Sequence, residues 1–177
     1  DVTIIQDIVV GYQYLVNIDD AIISAIPCFG DANGAIALNA SSNGGSLDFS
    51  WSHDPLLNNS VANNLIAGTY SVVTSDPNGC TDAITVILTQ PDALEGGLVV
   101  VNAQPGQNNG SATVTPAGGT TPYLIKWSTG AEGESIQNLA PGEYHVTLTD
   151  ANDCSWVEDF RIDEVSSLQT IPTLTSW

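Results

Sequence analysis

The chain has 177 residues, of which 42% are hydrophobic, enough for a core in one large domain or two small ones and too many for a disordered chain. Its 20 acidic residues face 2 basic ones, Lys126 and Arg161, giving a formal charge of −18. That balance argues against nucleic acid and anionic membranes, which need clustered Lys or Arg, and no apolar run reaches the roughly 18–20 residues of a membrane span. The sequence starts at Asp1 and contains no Met, so it reads as a processed mature protein or a fragment, with any secretion signal outside it.

The first stretch, "DVTIIQDIVVGYQYLVNIDD", holds two strand-like apolar runs, 2–10 and 12–18, separated by Gly11. Residues 1–21 form an N-terminal strand arm. Left bare, such runs present a sticky edge, so they must pair with something. Three partners are open: the following module, a preceding repeat, or the sheet of another subunit that the arm completes by strand donation. A head-to-tail contact of the last kind, repeated without closure, makes a filament.

From residue 22 onward the chain is written twice. "GTYSVVTSDPNGC" (68–80) returns as "GEYHVTLTDANDC" (142–154), pairing Gly68 with Gly142, Tyr70 with Tyr144, Asp76 with Asp150 and Cys80 with Cys154 at an offset of 74. Upstream, "NGAIALNA" (33–40) returns as "NGSATVTP" (109–116), and "LDFSWS" (47–52) as "YLIKWS" (123–128), at an offset of 76. Two modules follow, 22–93 and 94–166, joined at "TQPDAL" (89–94), and a tail occupies 167–177.

Periodicity within each module is two. In "EYHVTLT", Tyr144, Val146 and Leu148 point one way, and His145, Thr147 and Thr149 the other. Turn signals such as Asn33-Gly34, Asn78-Gly79 and Pro141-Gly142 recur every 8–15 residues, and no capped amphipathic helix is evident. Short strands with one Trp per module, Trp51 and Trp127, predict an all-β chain of two tandem immunoglobulin-like β-sandwiches, preceded by the extra strand arm. The element "L-x-x-G-x-Y" (65–70 and 139–144) is similar to a tyrosine corner, which adds Tyr70 and Tyr144 to the expected core.

The succession "C-x-G-x-x-x-G", "GG…W-S", "L-x-x-G-x-Y-x-V" and "D-x-N-x-C" resembles the SprB-type repeat of Bacteroidota surface adhesins, over about 22–166. The resemblance implies secretion, cell-surface display and a mechanical or adhesive role without catalysis. It also implies a bond between Cys28 and Cys80, which open and close the first module where family members place cysteines; closing that loop would stabilise by about 2–4 kcal/mol. Module two has Gln104 where Cys28 would fall. Cys154 is then either a free thiol or a link to another chain.

Enzyme motifs are absent: no G-x-S-x-G, P-loop, H-E-x-x-H or C-x-x-C. Ser52, His53 and Asp54 are adjacent and cannot form a hydrogen-bond relay, and His145 lies on an outer strand face. Glu132 and Glu134 are a pair of loop carboxylates best read as solvated. Asp31, Asn33, Asp76, Asn78, Asp150, Asn152 and Asp153 offer oxygen ligands suited to Ca²⁺, with Asp76 and Asp150 the foremost candidates, but no complete calcium-loop signature is present. Asn39, Asn58 and Asn109 match the N-x-[ST] sequon. The tail "SSLQTIPTLTSW" resembles the start of an "IPTLSEWG"-type sorting signal, which also implies export.

Two functions follow as expectations. One is a non-enzymatic, secreted structural protein, partnered by other copies of itself in a filament or by neighbouring repeats in an adhesin stalk. The other is a carbohydrate- or protein-binding adhesive module, for which Trp156 and Trp177 are the aromatics not assigned to the core.

Overall fold

The computed structural model describes residues 13–165, and every described element is a strand. Two compact units divide the chain. The first takes in Gly30–Gln90 and the described residues up to Ile26; the second comprises Pro27–Phe29 and the residues from Pro91 on.

In the first unit β1 (Val16–Ser24), β2 (Gly34–Ser42) and β4 (Val61–Leu65) form one antiparallel sheet in the order β1-β2-β4. The second sheet holds β3 (Asp48–Trp51), β5 (Gly68–Ser75) and β6 (Thr81–Leu88) in the order β3-β5-β6. In the second unit β7 (Glu95–Val101), β8 (Gly110–Ala117) and β10 (Ser135–Leu139) repeat the first sheet, with β8 central. There β9 (Leu124–Trp127), β11 (Gly142–Thr149) and β12 (Ser155–Ile162) repeat the second sheet, with β11 central. Each unit is thus an all-β, immunoglobulin-like sandwich of two three-stranded sheets.

Alternation buries one face of each strand. Ile36, Leu38, Trp51, Leu65, Tyr70, Val72 and Leu88 fill the first core, and Val114, Trp127, Leu139, Val146, Leu148, Phe160 and Ile162 the second. Tyr144 packs against the second core while remaining half-buried. The expected tyrosine corner exists in both copies: Tyr70 Oη donates to Ile66 O at 2.7 Å, and Tyr144 Oη to Ala140 O at 3.0 Å. Each Trp indole finds an acceptor as a buried N–H must, Trp51 at Asn59 O and Trp127 at Gly133 O, both 2.8 Å.

Backbone irregularities recur as well. The register shifts between Gly34 and Ile36, and again between Ile136 and Leu139, with Asn64 and Asn138 left-handed at φ 57° and 59° beside these shifts. Gly34 lies so close to Leu88 that an added Cβ would sit 2.5 Å from its side chain, and Gly110 meets Ile162 in the same way.

The described part of the arm differs from the expected division. β1 starts at Val16 and pairs with β2 from Val16↔Ser42 to Ser24↔Ala35, so the first sandwich begins before residue 22. Its alternation is poor because Asp19 is bulged out of register and Ile22 and Ile23 are both exposed. The unit boundary falls at Gln90 and Pro91, within the expected linker. Residues 1–12 and the sorting-signal-like tail, with Trp177, lie outside the described residues.

Candidate functional site

The chemistry-bearing side chains gather at the turn after the central strand of the second sheet, where "D-x-N-x-C" occurs in each unit. In the first, Asp76 accepts the N–H of Asn78 at 2.9 Å and of Cys80 at 3.0 Å on Oδ1, while Oδ2 accepts the Ser42 hydroxyl at 3.3 Å. In the second, Asp150 Oδ1 accepts the N–H of Asn152 at 2.8 Å and of Cys154 at 2.9 Å, and Oδ2 accepts the Thr120 N–H at 2.8 Å. Both carboxylates are buried. Burial pushes each carboxyl up, but these donors outweigh it and hold both below the ordinary carboxylate range. Asp82 is held low too, by the N–H groups of Ile18 and Ala83.

Asp76 and Asp150 therefore use Oδ1 to hold their own turns, the conformational role Asp plays in such loops, and Oδ2 to tie the turn to Ser42 or Thr120. Among the described residues no three His, Cys, Asp or Glu side chains converge as a metal-binding group. Asp31 takes a hydrogen bond from Asn33, and Asn152 Nδ2 reaches Pro27 O and Thr120 Oγ1. Asp153 is exposed, with a left-handed φ of 63°.

The cysteines are paired differently from the expectation. Cys28 bonds to Cys154, and Cys80 is the free thiol. The reason lies in unit membership. Pro27–Phe29 belong to the second unit, so the bridge is internal to that unit although 126 residues separate its ends. Cys154 is therefore neither free nor available to another chain. Cys80 occupies the matching turn half-buried, its Sγ 3.4 Å from Tyr14 O, as Cys154 Sγ stands 3.4 Å from Pro27 O.

The remaining candidates are dispersed. His53 is exposed and edge-on to the Trp51 and Tyr70 rings, with centroids 5.8 and 5.0 Å away; His145 is exposed on β11. Ser52 Oγ accepts the Ser71 N–H, and Asp54 caps its own turn at Leu56. Glu132 pairs with Lys126 at 3.7 Å on the surface. Trp156 is no exposed platform: it packs against the second core, its ring so close over Gly96 that a Cβ there would lie 2.4 Å away. Asn39, Asn58 and Asn109 are exposed.

One feature escaped the sequence reading. β2 runs to Ser42, yet its pairing with β4 stops at Ala37↔Val61, followed by Leu38 N–H to Ser60 O at 2.8 Å. Strand geometry turns the backbone groups of Ala40 and Ser42 to the same flank as Leu38 N–H, where no described strand meets them. A groove lies beside that flank, lined by Leu38, Ala40, Leu47, Phe49 and Ser60, with the Asp19 carboxylate of β1 also on its wall. The second unit has the same groove beside Pro116, Tyr123 and Ile125. A proline inside one repeat's strand and not the other's was the available signal.

Residues 105–132 match the SprB repeat. The matched stretch spans β8, β9 and the turns around them. No curated protein matches the chain. Among solved structures, the N-terminal eight immunoglobulin domains of Down syndrome cell adhesion molecule are similar at 11% identity and a TM-score of 0.47, over 86% of this chain. The chain spans 25% of the length of that structure. The IG1+IG2 structure of DIP-gamma is similar at 13% identity and a TM-score of 0.42, over 84% of this chain and 99% of the other. The BSP domain of a biofilm associated protein follows at 11% identity and a TM-score of 0.28, over 86% and 30% of the two chains. The SprB repeat and the disulfide support an adhesin-type, extracellular structural or adhesive module.

Proposed function

We propose that this chain is a non-enzymatic subunit of a bacterial surface filament, built from two tandem sandwiches and assembled by strand donation from its N-terminal segment. The observation that carries the reading is the duplication itself. Strand order, register shifts, tyrosine corner and Asp-centred turn are all present twice, whereas a reactive centre needs only one copy. Polar groups that could do chemistry are used structurally: Asp76 and Asp150 hold turns, and Ser52 and Ser128 hold the backbone of Ser71 and His145. The charge of −18 keeps such a surface soluble and makes self-contacts dependent on salt.

Electron microscopy of the purified, unreduced full chain tests the proposal. Filaments that disappear when residues 1–12 are deleted are the expected result. Dispersed particles at every concentration and salt would instead mark a passive stalk segment of an adhesin.

A further inference from the structure

The two units differ at the flank of β2 in one consistent direction. In the second unit the position matching Ala40 is Pro116, which has no N–H to offer, and the carbonyl matching Ser42 O, Gly118 O, is taken by the Tyr123 hydroxyl at 2.6 Å. Leu47 stands where Tyr123 would, so the first unit lacks this cap. Glu132 and Glu134 border the second groove, where the first has Asn58 and Ser60 and a carboxylate only at Asp19. One flank is closed by a proline and a hydroxyl. On the other, no described residue closes the backbone in this way.

We propose that the β2 flank at residues 40–42 of the first unit accepts residues 2–10 of a second copy of this chain as an added strand. This rests on the filament reading above and names its acceptor. Backbone groups of Ala40 and Ser42 give the ladder, and Leu38, Leu47 and Phe49 receive alternate side chains of the incoming strand. The segment "VTIIQDIVV" is apolar enough to fill them.

The anchoring of residues 13–15 favours a second copy over the same one. Asn43 Nδ2 donates to Gln13 O at 3.0 Å, Leu15 N–H to Asn43 Oδ1 at 2.8 Å, and Asn43 N–H to Leu15 O at 3.3 Å, all on the β1 side of β2. Reaching the far flank of its own β2 would require Gly11 and Tyr12 to cross two strand spacings, roughly 9.5 Å. Three residue steps reach about 10–11 Å when fully stretched, which leaves no slack for a turn.

The test copies the second unit's closure into the first, in the full chain, as Ala40→Pro, Leu47→Tyr and the double variant. Sedimentation velocity and negative-stain microscopy read the assembly, and the melting temperature reads the fold. The expected result is a wild-type polymer and at least a tenfold loss of sedimenting material in the double variant, with melting unchanged. A double variant that polymerises like wild type overturns this acceptor and leaves the filament reading standing. A wild type that never assembles overturns both. Should Ala40→Pro fail to fold, Leu47→Tyr alone must reduce assembly, because it leaves the backbone untouched. In assembled wild type the Ala40 and Ser42 amides must exchange at least tenfold more slowly than in dispersed chain; unchanged exchange overturns the proposal.

Discussion

In the first unit Ile36 faces Ala62 across β2 and β4; in the second Ala112 faces Ile136 at the same rung. The large and small partners have changed strands, and the space between the sheets is filled either way. A second rung shows the same exchange less cleanly. Phe49 faces Thr74 in the first unit where Ile125 faces Leu148 in the second, and the Thr74 hydroxyl is buried with no hydrogen-bond partner among the described residues. By contrast, the tyrosine corner and the Oδ1 bonds of the Asp-centred turn recur in both copies, while Oδ2 changes partner from the Ser42 hydroxyl to the Thr120 N–H. The Ile–Ala rung can thus be filled from either strand, whereas the tyrosine corner and the Oδ1 ties of the turn keep the same positions in both copies.

The sharpest break between the copies is the disulfide. Cys154→Ser should destabilise the second unit by about 2–4 kcal/mol, whereas Cys80→Ser should change stability by less than about 0.5 kcal/mol. Denaturant unfolding of each variant checks this, and equal losses would mean the two turns are not distinguished as described. Next in size, Ile36→Ala should cost about 2–4 kcal/mol, and adding Ala62→Ile should recover more than half by recreating the second unit's arrangement. A strictly additive double variant would refute compensation at that rung.

Thr74→Val keeps the shape and removes the orphaned hydroxyl, so it should stabilise the first unit by about 1 kcal/mol, seen as a raised denaturant midpoint. The two turn carboxylates contribute fully at neutral pH, and their effect is read on the acid side. Asp76 and Asp150 have folded-state values below the ordinary one, so their stabilisation is complete above about pH 4 and is lost as pH falls through the lowered folded values. Asp76→Asn and Asp150→Asn should each flatten that acid limb in a pH series of melting temperatures. An unaltered limb would assign acid sensitivity to other carboxylates.

Much of the fold was legible because it is written in side-chain alternation, which depends on neighbours two residues apart. Tyr70, Tyr144, Trp51 and Trp127 stand where spacing placed them. The cysteine pairing was not legible, because it crosses the repeat boundary: the strap holding Cys28 interrupts one unit's sequence and belongs to the other. The start of β1 was obscured by its own edge position: a bulge at Asp19 and two adjacent exposed isoleucines erase the period of two. That no described strand meets the far flank of β2 beyond Leu38 follows from where β4 stops, which local pattern does not record.

Tension applied to the two ends of such a chain would not travel along most of it. The covalent bridge carries the load directly from residue 28 to residue 154, so the 126-residue span it encloses is spared while the bond is intact. Only the flanking stretches, including β1 and β12, can be peeled by force. Reduction would expose that span to tension, adding roughly 400–450 Å at about 3.3–3.6 Å per residue once both units unfold, which a single-molecule stretching trace would record as extra steps. The state of one bond thus decides how much of the chain a pull can unravel.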